Sequence, residues 1–191
     1  MNYTGLSFSE VTSALDDVAQ DAHATFGRLN TRQLNWRPDT ARWSVAQCFQ
    51  HLVTANGLML NAARDALENP SRSVWQRMPL LPSAFGWVMI RSQAPGSTRK
   101  FTAPTTAQPT TSDLAGDIIP RFVDQHRGAV EWLQSLDERR ARHTIMVSPF
   151  VRAVTYSVLD GFRLLFAHDR RHFEQARRVM QSNEFPRSSR N

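Results

Sequence analysis

Two histidines stand four residues apart in AHDRRHFEQ, residues 167–175. If the stretch is helical, 3.6 residues per turn places His168 and His172 one above the other on one face. Taken alone, such a pair reads first as two core-edge histidines bonded to backbone or water, because a buried ring nitrogen without a partner costs stability. A third histidine, His51, changes the balance. One His from one helix and an i, i+4 pair from a facing helix can make a three-histidine metal site with open coordination positions. That is the catalytic pattern, since structural zinc usually closes with four ligands. Three imidazoles suit Zn, Ni, Cu or Fe, and one divalent ion, Zn or Ni, is the expectation. Protons should compete for the same nitrogens below the free-histidine pKa of roughly 6.5.

Other residues near these histidines invite roles at the same site. Gln47 lies one turn before His51, and Gln175 lies three residues after His172. Either could orient an imidazole or hold bound water, or be an ordinary polar residue at a helix edge. Trp43, two turns before His51, reads as core before pocket wall. Arg171 could meet an anionic substrate, though an ion pair with Glu174 or another acid is the plainer role. His126 could be a fourth inward histidine near the site. His23 and His143 read as surface residues. Cys48, the single cysteine, sits among apolar neighbours and reads as a small buried hydrophobe, not a nucleophile. No Glu or Asp in the two histidine motifs is placed as a general base.

Four segments carry the helical period needed to bring these residues together. The first runs from about Phe8 to Leu29, with Val11, Leu15, Val18, Ala22 and Phe26 in one stripe. The second runs from about Ser44 to Leu67, with Ser44 as N-cap and Asn69-Pro70 as its stop. The third runs from about Ser112 to Leu136; Pro120 falls late for a first turn, so this helix starts later or kinks there. The fourth runs from about Val154 to Met180, and His168 and His172 continue its stripe of Val158, Phe162 and Leu165. No strand alternation of comparable length is visible.

The expected fold is therefore all-α: a four-helix bundle with a long, partly structured connection between helices 2 and 3. That connection, about Asn69 to Asp113, holds six of the ten prolines. Its Trp75, Met78, Leu80, Phe85, Trp87 and Ile90 argue that residues about 72–92 pack on the bundle. One domain over 1–182 and a frayed basic tail over 183–191 complete the plan.

Composition narrows the function classes. No run of 18 apolar residues exists, so no membrane span is expected. The first residues carry neither a basic n-region nor an apolar h-region, and with one cysteine a reducing cytoplasm fits. The net charge of +6 raises nucleic-acid binding. All basic residues except Lys100 are Arg, spread along the chain among acids, so no nucleic-acid partner is expected.

The chain also resembles the DinB-like superfamily of four-helix-bundle metalloproteins. The resemblance is carried by LNWRPDTARWSVAQCFQHL (34–52) and AHDRRHFEQARRV (167–179), with loops like STRKFTAPTTAQP (97–109) and SPF (148–150). It implies a divalent metal held by His51, His168 and His172. Known members include transferases and isomerases that use low-molecular-weight thiols. The expectation is a metal-dependent enzyme acting on a small molecule by thiol transfer or hydrolysis, with a low-molecular-weight thiol as cosubstrate. The alternative is a non-catalytic, stress-related metal- or ligand-binding protein. A homodimer is left open.

Overall fold

The computed structural model describes residues 1–69, 81–96, 105–109 and 113–187. Four long helices make the frame: α1 (Phe8–Phe26), α3 (Val45–Glu68), α5 (Ile118–Ser135) and α7 (Val158–Met180). Short α2 (Thr31–Asn35), α4 (Leu81–Gln93) and α6 (Glu138–His143) join or cover them. Helix α1 packs on α5 and α7, and α3 packs on the same two, so the four close into a bundle. The all-α four-helix expectation holds.

Local chemistry explains where the helices begin. Ser7 and Glu10 form a capping box on α1, and Ser44 and Gln47 form one on α3, each satisfying otherwise orphan backbone N–H groups. Ser157 caps α7 by accepting from the Asp160 N–H. The third helix starts at Ile118, six residues later than its outer sequence limit. Pro120 then falls in the first turn, where a missing N–H costs nothing.

The fourth helix starts at Val158, because Thr155–Ser157 is a strand, β2. It pairs antiparallel with β1 (Ile145–Val147), Met146 opposite Tyr156. Three-residue strands are too short to show a period, so the sequence carried no signal for this ribbon.

The bundle centre is aromatic. Each long helix contributes one phenylalanine: Phe26, Phe49, Phe122 and Phe173, all fully buried. Phe49 meets the other three with ring centroids 5.0–5.3 Å apart. These spacings lie in the favourable range for tilted and edge-to-face rings, and each buried side chain contributes roughly 1.5–3 kcal/mol. Asp21 on α1 adds an outer clasp, reaching Arg170 at 2.7 Å and Arg177 at 2.6 Å on α7.

Helix α4 lies on α7 and β2. Ile90 is buried there, while Trp87 and Val88 face outward. The approach is close at Gly86, where a Cβ would come within 3.0 Å of the Asp160 carboxylate. Residues 81–92 of the connection thus pack on the bundle as expected; 72–80, with Trp75, Met78 and Leu80, lie outside the described residues. So do 97–104 of the 97–109 loop and the last four residues of the tail.

Candidate metal centre

The α3 capping box starts a helix whose second turn carries His51 inward, only 4% exposed. Helix α7 brings His168 and His172 to the same place. Ring centroids are 5.0 Å apart for His51 and His168, and 4.6 Å apart for each of the other two pairs. One ring nitrogen from each histidine falls in a group spanning no more than 4.8 Å. The group contains no Asp, Glu or Cys among the described residues.

Two observations test whether a metal ion suits this trio. Nε2 of His51 and Nε2 of His168 face one another at 3.1 Å. A tetrahedral ion with bonds of about 2.0–2.1 Å to nitrogen separates neighbouring donors by roughly 3.3 Å. The second is His172 Nδ1, which is buried without a hydrogen-bond partner among the described residues. Hydrogen bonding inside the trio therefore leaves one imidazole nitrogen unsatisfied, at a cost of roughly 1–3 kcal/mol. The residues fit a divalent ion better than they fit a closed hydrogen-bonded core.

A backbone carbonyl sets the proton on His51. Its Nδ1 lies 2.6 Å from the oxygen of Ala107, in the 3-10 turn Thr105–Ala107. A carbonyl oxygen only accepts, so Nδ1 carries the hydrogen and Nε2 presents its lone pair to the other two histidines. This is the usual way an outer partner orients a ligating imidazole.

Electrostatics keep all three rings neutral. Burial pushes His51 below the ordinary histidine pKa, opposed by its bond to Ala107 and the charge of Asp169. Burial pushes His168 well below it, helped by His172, His51 and Arg171. His172 is lowered to about 3, mainly by burial, then by His51 and Arg171, with Gln175 opposing. Neutral imidazole is the form that binds metal.

The residues around the trio divide. Trp43 stands over it: its ring is 5.1 Å from His51 and lies 5.9 Å from His172, nearly parallel at 17°. It is partly exposed, so it is a wall of the site as well as part of the packing. Gln175 lies one turn beyond His172 and opposes the lowering of its pKa. The Gln47 side-chain oxygen accepts from the Ser44 backbone N–H at 3.0 Å and so closes the helix cap. Arg171 donates to the Ser92 carbonyl on α4 at 2.8 Å, and Glu174 lies 3.9 Å from Arg178.

His126 is inward but not a fourth ligand. Its Nε2 lies 2.8 Å from Asp169 and its Nδ1 lies 3.1 Å from the Phe122 carbonyl, so both ring nitrogens are taken. His23 and His143 are exposed. Cys48 is fully buried, and burial pushes its thiol up to about 12, far from a thiolate.

Two features of this region were not read from the sequence. The Ala107 carbonyl is a backbone group, with no side-chain signal. Asp169 is fully buried and bonded to Asn56 as well as His126; its position inside AHDRRHFEQ was visible, but its partners were not. The Gln47 role did have a signal, the Ser-x-x-Gln spacing of a capping box.

A family model, the DinB superfamily, matches residues 14–176. That span includes all three histidines and most of the four long helices. No curated protein and no solved structure matches the chain.

Proposed function

The chain belongs to the DinB superfamily, and from that premise we propose that it is a metal-dependent enzyme whose divalent ion, Zn or Ni, is held by His51, His168 and His172. The observation that carries this reading is the cluster itself: three neutral imidazoles, one with an orphaned nitrogen, and no carboxylate among them. Such an ion supplies Lewis acidity and lowers the pKa of a bound thiol or water.

The chain's own residues prepare the site for that chemistry. The Ala107 carbonyl holds His51 in the tautomer that offers Nε2. Burial first, then the neighbouring histidines and the Arg171 guanidinium, keep His168 and His172 unprotonated. Trp43 covers His172 and shields one side from water. Asp169 points to Asn56 and His126, so it is not available to take a proton from a substrate. A thiol nucleophile needs no general base once it is ionised, whereas water attack usually draws on one. The lack of a carboxylate in the cluster among the described residues therefore favours transfer to or from a small thiol over hydrolysis.

The test has two stages. Metal content and calorimetry with Zn and Ni come first, at neutral pH. A thiol-conjugation and hydrolysis panel on the loaded protein follows. Binding with turnover that rises with metal occupancy supports the enzyme. Binding without turnover across the panel supports a non-catalytic metal- or ligand-binding protein. No binding removes the metal centre altogether.

A further inference from the structure

Beside the histidine trio lies a second buried polar trio, with a member on each of three bundle helices. Asp169 on α7 accepts from the Asn56 amide on α3 at 2.9 Å and lies 2.8 Å from His126 Nε2 on α5. Asp169 is 0% exposed, and Asn56 and His126 are 1% exposed. A buried carboxylate held this way adds little net stability over a well-packed apolar group of the same size. What it does supply is direction, because hydrogen bonds fail with small displacements while apolar contacts slide.

The placement gives that direction a purpose. Asp169 follows His168 immediately, and Asn56 comes five residues after His51 on α3. Helices α3 and α7 are thus joined by two neighbouring rungs: His51 to His168 at 3.1 Å, and Asn56 to Asp169 at 2.9 Å. The rungs are separated by about 7.5 Å of rise on α3 and about 1.5 Å on α7. One rung leaves α7 free to rotate about the contact; two at unequal spacing do not. The bond from His126 braces the same carboxylate from α5.

We propose that Asp169 is the positioning residue of the histidine centre: with Asn56 and His126 it sets the rotation and register of α7 that bring His168 and His172 to His51. This inference rests on the metal-centre reading, and the experiment separates the two. Zn affinity by calorimetry, the visible absorption of the Co-substituted protein and unfolding stability are measured on the full chain for wild type, Asn56→Ala, Asp169→Ala and Asp169→Asn.

The expected result is a loss in Zn affinity of roughly tenfold or more for Asn56→Ala and Asp169→Ala, with a shifted Co spectrum in protein that is still folded. Asp169→Asn stays near wild type, because the Asn56 amide can turn over and restore both bonds. If Asp169→Ala does not fold, Asn56→Ala decides. Folded variants of lower stability that bind Zn like wild type, with an unchanged Co spectrum, overturn the proposal and leave a purely structural trio. Wild-type protein that binds neither metal overturns the metal-centre reading instead.

Discussion

Nδ1 of His51 donates to the carbonyl of Ala107 across 2.6 Å, between residues 56 positions apart in the chain. The bond ties a 3-10 turn in the long connection to the first candidate ligand, and it decides which nitrogen of His51 is left to bind. Displacing that turn should therefore weaken metal binding without touching a ligand. Ala107 is buried at 1% exposed, so Ala107→Trp cannot be accommodated in place. We expect a loss of roughly 10–100-fold in Zn affinity, with the bundle still folded, read by calorimetry beside circular dichroism.

The fold should not depend on the ligands. Removing the hydrogen bonds of one histidine is expected to cost the metal-free protein no more than about 1–3 kcal/mol. Phe49→Ala, which opens a void against Phe26, Phe122 and Phe173, should cost about 3–5 kcal/mol. Chemical denaturation of the metal-free variants gives both figures. A histidine variant as damaging as Phe49→Ala would show that the trio is part of the core's support.

The pKa shifts give a signed pH dependence. In the unfolded chain each histidine takes a proton near pH 6.5. In the folded protein His172 does so only near 3, and His51 and His168 are also lowered. Between those values the unfolded state binds more protons, so the stability of the metal-free protein falls as pH drops from about 6.5 towards 3. The slope is at most about 1.4 kcal/mol per pH unit for each histidine. Denaturation midpoints across that range should show the decline, and His172→Ala should flatten it. The same depression moves proton competition with the metal below the pH 6.5 onset expected from free histidine.

Trp43 offers an optical readout. Its ring stacks on His172 at 5.9 Å, so Ni bound at the trio should quench its fluorescence. The chain has five tryptophans, and the quench should largely vanish in Trp43→Phe while calorimetric Ni binding persists. Equal quenching in both proteins would place the bound Ni away from Trp43.

The frame was legible because it is periodic. Stripes at three- and four-residue spacing marked all four long helices, and the His168–His172 pair lay on one of them. What was hidden depends on partners far apart in the chain or on groups without a side chain. Asp169 pairs with residues 113 and 43 positions away, and nothing local distinguishes it from a solvated acid in an Arg-rich stretch. The Ala107 carbonyl has no residue type to read. The β1–β2 ribbon is three residues long, below the length at which alternation differs from chance. His126 could be read either way from the sequence, and its neighbours, Asp169 above all, occupy both of its ring nitrogens.

The central claim is that His51, His168 and His172 together hold one divalent ion. The most direct measurement is Zn and Ni calorimetry at neutral pH on the wild-type chain and on His51→Ala, His168→Ala and His172→Ala, each checked for helical content. The expected result is one ion per wild-type chain and binding lost or severely weakened in every folded variant. Wild-type protein that takes up neither metal, or variants that bind like wild type, would contradict it.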